Sequence, residues 1–219
     1  MGRGFCSANS SFERRRRIAL SIFKIEAPPQ EGLFHFIELD YHISFYYFYS
    51  MTSPIFNTDN IRAYQKQISN SFLFKLGLMK DLPLASLIGV KIVRLTEEEC
   101  SLTVPYRFIN KNPFKTTYWA VMGMAAEMAS GLLLLMYTHK LKPSVSTFVI
   151  GCEAKFVKRA IGKTTFKCLQ GEEIAEKIAA TVATFEPQEI RCITNAYNEQ
   201  GELVAEFIFT WGIKARSKG

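Results

Sequence analysis

The chain has 219 residues, of which 48% are hydrophobic, 13% aromatic and 21% charged; this excludes disordered, collagenous and disulfide-rich classes and leaves a globular protein able to bury a core. Its net charge of +7, from 27 Lys+Arg against 20 Asp+Glu, is compatible with nucleic acid, acidic lipid or phosphorylated small molecules and selects none of them. The cysteines Cys6, Cys100, Cys152, Cys168 and Cys192 are odd in number and widely spaced, with no CxxC and no nearby His. No metal site or disulfide framework is expected, and the thiols read as small buried side chains in a reducing, cytoplasmic compartment.

Residues 1–50 break from the rest in composition: they hold eleven of the 29 aromatic residues but no Val, Thr or Trp. Ile18 to Ile25 is too short for an export signal and is interrupted by Lys24. Arg14 to Arg17 form a basic cluster without any nucleic-acid-reading motif, so no nucleic-acid partner is expected. The expected organisation is a poorly ordered extension over residues 1–50, not native if translation starts at Met51, followed by one domain over 51–219 that begins with a helix.

In that domain Thr58-Asp59-Asn60 offers an N-cap, and Ile61, Tyr64, Ile68, Phe72 and Leu76 recur at helical spacing up to a stop at Gly77. Ser86 to Leu95 and Cys100 to Arg107 read as strands of a hairpin turning at Thr96–Glu99. A break follows at Asn110-Lys111-Asn112-Pro113.

Trp119 to Tyr137 then runs nineteen residues with Glu127 as its only charge. Length and hydropathy alone would admit a membrane span, but a carboxylate at mid-span costs about 2.5–3.5 kcal/mol and both flanks read as strands. A helix buried on all sides by protein is the expectation. Val145 to Lys158 is a long strand in which Cys152, Ala154 and Phe156 alternate with Glu153 and Lys155, a dry face against a wet one. Lys163 to Leu169 continues as a strand, Glu172 to Ala183 as a short helix, and Glu189 to Tyr197 and Glu202 to Ile213 as two closing strands. The class is α+β. No repeat, glycine-rich phosphate loop, GxSxG or zinc-type His pair is present.

At 3.6 residues per turn, Ala120, Gly123, Glu127, Ser130, Gly131 and Leu134 share one side of the long helix. Two glycines beside one acid mark a close approach by a sheet, a second subunit or a ligand, since Gly weakens a helix by about 1 kcal/mol relative to Ala. Glu127 is then either a buried acid paired with a Lys or Arg, or a raised-pKa carboxylate suited to acid or base work. His139 lies twelve residues beyond it, about 18 Å along the axis at 1.5 Å per residue, too far to assist.

Taken together, Asn110-Lys111-Asn112-Pro113-Phe114 before a long apolar helix, Glu127 within it, and a helix inserted between late strands resemble the phenylacetyl-CoA thioesterase-like hotdog family. The likeness spans Leu84 to Lys214 and is nearest to an uncharacterised branch, a domain of unknown function. Members have His-Gly-Gly at the helix start, nine residues before an Asp or Glu; here the acid matches and Tyr118-Trp119-Ala120 stands where His-Gly-Gly would be.

The resemblance implies a curved antiparallel sheet wrapped around a central helix, and a homodimer or dimer of dimers that hydrolyses an acyl thioester such as acyl-CoA, with no cofactor. It implies that Glu127 acts as base or nucleophile, with Tyr118 and Asn112 beside it, and that the Trp119 and Ala120 amides form the oxyanion site. Gly123 and Ser130 would border the ligand, and Lys155, Lys158 and Arg159 would hold the phosphates of coenzyme A. A dimer that binds acyl-CoA or a fatty-acyl group without turnover is the alternative, favoured by the missing His-Gly-Gly.

Overall fold

A computed structural model describes residues 55–216, and the extension expected over residues 1–50 lies outside them. The described part opens with three short helices where one was expected. Helix α1 (Thr58–Ser69) is capped by Asn57, whose Oδ1 accepts the Asp59 and Asn60 N–H groups at 2.8 and 3.2 Å. Asn70 then ends α1 and caps α2 (Ser71–Asp81), accepting from the Phe72 and Leu73 N–H groups at 3.1 Å each. Because the chain turns at this cap, the periodicity that reads straight through from Ile61 to Leu76 selects the wrong face of α2. Phe74 and Leu78 dock, while Phe72 and Leu76 face outward and Gly77 sits mid-helix.

Helix α3 (Pro83–Ile88) starts on a proline and stops at Gly89, whose φ of 79° places it in the left-handed region. It takes Ser86 to Ile88 of the segment read as a strand and its cap falls at Gly89, so β1 covers only Lys91–Leu95. β1 and β2 (Cys100–Val104) form the expected hairpin, its turn closed by the Thr96 N–H donating to Glu99 O at 2.9 Å.

After a 3-10 turn at Phe108–Asn110 comes α4 (Trp119–Thr138), then β3 (Val145–Phe156), β4 (Thr164–Cys168), α5 (Gly171–Thr184), β5 (Gln188–Tyr197) and β6 (Leu203–Ala215). The strands form one antiparallel sheet in the order β1-β2-β4-β5-β6-β3, with register shifts at Ile92/Arg94, Val149/Gly151 and Ala196/Tyr197. Such shifts bend a strand and help a sheet to curve.

The concave face carries Leu102, Phe166, Cys192, Phe207, Phe209 and Trp211, and it receives α4. Most of α4 is buried, including Ala125, Ala126, Ala129, Leu133 and Leu134, so its apolarity is that of a core helix. Two polar bonds fix its rotation: Thr194 Oγ1 donates to Ala126 O at 3.0 Å, and Trp211 Nε1 donates to Ser130 Oγ at 3.1 Å.

Helix α5 packs against β5, β6 and α4. Its first residue, Gly171, donates its N–H to Glu98 O at 2.9 Å, and a Cβ there would overlap the Glu97 carbonyl. The same turn is held by Tyr137 Oη, which donates to Glu97 O at 2.7 Å. Gly171→Ala is therefore expected to displace the hairpin turn and destabilise the protein by about 1–3 kcal/mol, read as a lower urea midpoint at unchanged slope.

β3 corrects the expectation of a dry face. Cys152, Ala154 and Phe156 do lie on the side of their β6 partners Phe209, Phe207 and Ala205, but β3 is the sheet edge, α4 does not cover them, and all three are exposed in the single chain. Cys152 thus departs from the reading of buried thiols, whereas Cys100, Cys168 and Cys192 follow it.

Candidate active site

Gly131 leaves a gap on α4 one turn beyond Glu127. A Cβ on it would stand 3.5 Å from both Glu127 Oε1 and the Trp211 ring, so the missing side chain keeps open the space these two groups face. The gap belongs to a cavity of about 240 Å³. Its walls come from Glu127, Gly131 and Leu135 of α4, Thr147 of β3, Trp211 of β6 and, across from them, Leu78 of α2 with Leu82. The lining is apolar apart from Glu127, Thr147 and the indole N–H of Trp211, which is already bonded to Ser130.

Glu127 pairs with no cation among the described residues, whose ion pairs are Arg94–Glu99, Lys158–Glu202 and Arg191–Glu153. Burial alone pushes its carboxyl above the ordinary carboxylate range. Of the two roles open to this acid on sequence, the buried structural pair is thus not the one observed: an unpartnered carboxyl adjoins an apolar void. Ser130 secures its position, since Ser130 Oγ donates to Glu127 O at 3.0 Å while accepting from Trp211, and the helix is clamped to the sheet beside the acid.

The other candidates are distributed elsewhere. Asn112 closes the turn before α4, its Nδ2 donating to Thr116 Oγ1 at 2.8 Å and its Oδ1 accepting the Thr116 N–H at 3.1 Å, so both ends of the amide are engaged. Tyr118 is the N-cap of α4 without a side-chain capping bond, and its ring meets Trp119 edge-on at 5.9 Å; both are exposed. Trp119 and Ala120 open the helix, where the first N–H groups have no intrahelical acceptor.

They precede Glu127 by seven or eight residues, about 11 Å along the axis at 1.5 Å per residue. Gly123 lets the sheet approach, with Phe207 Cε1 3.8 Å from where its Cβ would be. Lys158 pairs with Glu202 at 2.7 Å, Arg159 Nη2 donates to Phe114 O at 2.7 Å, and Lys155 lies opposite Glu206 on β6; none of the three lines the cavity. His139 ends α4 with its ring 5.2 Å from that of Tyr64.

Sequence reasoning missed Trp211, Thr147, Leu78 and Leu82, which reach the cavity only through long-range packing. It also missed Asn110, which is fully buried and donates from Nδ2 to Ile88 O at 2.9 Å and to Pro105 O at 2.7 Å. The Asn110 carbonyl accepts the Tyr118 N–H at 2.7 Å, so this residue sets where α4 begins. A second hollow, of about 310 Å³, is walled by Glu98, Glu172 and Glu173 with Leu169 and Gln170, a lining that repels an anionic ligand.

A six-stranded antiparallel sheet curved around one long helix, with an acid on that helix facing a void, defines a hotdog-fold protein. Solved structures agree at the level of the fold. A protein of unknown function and probable thioesterase from Pseudomonas aeruginosa is similar with a TM-score of 0.58 and 18% identity, over 65% of this chain and 95% of that one. A protein of unknown function from Chlorobaculum tepidum gives 0.56 and 18%, over 65% and 92%. A mutant thioesterase from Pseudomonas aeruginosa gives 0.51 and 9%, over 65% and 93%. No curated protein matches the sequence. Residues 71–213 match the family model described as Domain of unknown function (DUF4442), and the chain belongs to that family.

Proposed function

We propose that this chain is a thioester hydrolase acting on an acyl thioester such as acyl-CoA, with Glu127 as general base or nucleophile. The observation that carries the reading is the unpaired, burial-shifted carboxyl at the wall of an apolar cavity sized for part of an acyl chain. Two of the structurally similar proteins bear thioesterase names, which supports the same chemistry.

As a base, Glu127 takes a proton from water while the oxygen bonds to the thioester carbon; the resulting oxyanion collapses, the C–S bond breaks, and the thiolate leaves and is protonated. The free N–H groups at the start of α4, at Trp119 and Ala120, are suited to that oxyanion by the helix dipole and unsatisfied donors.

Those amides and Glu127 sit about two helical turns apart on one helix, too far to address one carbonyl group within a chain. The reading therefore includes a homodimer in which the helix start comes from the second copy. The uncovered Cys152, Ala154 and Phe156 on edge strand β3 favour this assembly, because an apolar edge facing the concave side awaits a cover. Lys155, Lys158 and Arg159 are proposed to hold the phosphates of coenzyme A from the exposed flank, and Asn112, Gly123, Ser130 and Tyr118 to shape rather than perform the reaction.

The second reading, an acyl-CoA or fatty-acyl carrier, is favoured by Tyr118 and Trp119, which place two large rings at the helix start where small residues would admit a carbonyl group. Thiol release from short, long and aromatic acyl-CoAs by the full chain separates the two. Saturable turnover is expected, and tight binding without turnover would replace hydrolysis by carriage.

A further inference from the structure

Helix α2 docks on the body through Phe74 and Leu78, yet its opposite side is also apolar. Phe72, Leu76 and Met79, at i, i+4 and i+7, are 75%, 56% and 58% exposed. At 3.6 residues per turn these three align into a stripe about 150° around the helix from the docked side, and Lys75 and Lys80 fall roughly 70° to either side of it. Leu82, Leu84 and Leu87 extend the exposed apolar surface into α3. Over Thr58–Ile88 the charged residues are Arg62, Lys66, Lys75 and Lys80 against Asp59 and Asp81.

An apolar stripe with a lysine on each flank fits an anionic lipid surface. The stripe enters the boundary between headgroups and acyl chains, and the ammonium groups reach outward to the phosphates. The same helix also supplies a wall of the cavity beside Glu127, through Leu78 on its inner side with Leu82 just beyond its end. One helix thus separates an exposed apolar face from the space in which an acyl chain would lie.

We infer that α2 and α3 form an interfacial docking surface for an anionic bilayer, which holds the cavity mouth at the lipid boundary. The inference goes beyond the thioester chemistry and does not involve Glu127, so Glu127→Gln is expected to bind vesicles as the natural chain does, whatever its turnover.

The test is sedimentation of the full chain with phosphatidylcholine vesicles, with and without about 40 mol% phosphatidylserine. The natural chain is expected to pellet with the anionic vesicles and far less with the neutral ones. Phe72→Ser, Leu76→Ser and Met79→Ser combined should weaken binding at least about tenfold at unchanged circular dichroism, because three apolar anchors are lost. Lys75→Gln with Lys80→Gln should remove the preference for anionic lipid. Because these five side chains point into solvent, the variants are expected to fold.

A chain that stays in the supernatant, or a stripe variant that binds as well as the natural protein, would overturn the inference. So would binding that disappears only when Arg14→Ser, Arg15→Ser, Arg16→Ser and Arg17→Ser are combined. Natural protein that ignores vesicles but forms larger assemblies abolished by the stripe variant would assign the face to a second copy instead.

Discussion

Glu127→Gln is expected to lower kcat/KM for acyl-thioester hydrolysis by about two to four orders of magnitude, the range for loss of a positioned base. Gln keeps the shape of the carboxyl group and so leaves the apolar cavity and the Trp211–Ser130 clamp intact; what it removes is the capacity to take a proton or attack. A base or nucleophile acts in its ionised form, and burial raises the pKa of this carboxyl above its ordinary value of 4.5. The acid limb of the natural chain's kcat/KM profile should therefore lie above that value.

The same shift has a stability consequence of definite sign. A group with a raised folded-state pKa contributes stability that is fully present below its unfolded pKa and is lost as pH rises through the folded one. The natural chain should thus lose stability over this window while Glu127→Gln does not. The variant should match the natural chain in acid and exceed it at neutral pH in urea unfolding. Equal turnover by both proteins would remove Glu127 from the mechanism.

Asn110→Ala is expected to be the most damaging substitution outside the cavity, at about 2–5 kcal/mol. Its side-chain amide is the donor to two carbonyls, the buried Ile88 O and the partly buried Pro105 O, and a buried acceptor left without a partner costs about 1–3 kcal/mol. These bonds tie the end of α3 and the exit of β2 to the 3-10 turn, and the Asn110 carbonyl holds Tyr118, the N-cap of α4. Loss of this knot should also move the helix start, so turnover should fall beyond what the unfolded fraction explains. Thermal unfolding followed beside thioester hydrolysis at low temperature checks both parts. By contrast, Asn112→Ala removes bonds within a partly exposed turn, and its smaller effect would separate the two neighbouring asparagines.

How far the residues disclosed this architecture depends on the range of the forces involved. α4 was legible as one long apolar run with a single charge, and α5, β5 and β6 because each repeats one period, as in the alternation of Ala205, Phe207, Phe209 and Trp211 with the partly exposed Glu206, Ile208 and Thr210. The hairpin was legible from its acidic turn. The break at Asn70 was not, because apolar residues continue on both sides at spacings that mimic one helix, and only the capping bonds reveal the change of direction. Ser86 to Val90 is short and apolar enough to fit strand or helix, and Pro83 with Gly89 settled it locally.

In the site, Glu127 and Gly131 stood out because a lone acid and a small residue are conspicuous in an apolar helix. Trp211 and Thr147 did not, since their place at the cavity follows from how β6 and β3 sit against α4. Asn110 and Asn112 are chemically identical and two residues apart; burial alone distinguishes the anchor from the turn residue.

The open border of the sheet at β3 has a consequence for the newly made chain. Among the described residues the outer edge of β3 is unpaired, so a row of main-chain groups is presented to any extended polypeptide nearby, a hazard for every nascent protein with a bare strand. Glu153 and Lys155, placed on the other surface of the same strand, act as gatekeepers: they put charge of both signs along the border and disfavour indiscriminate pairing.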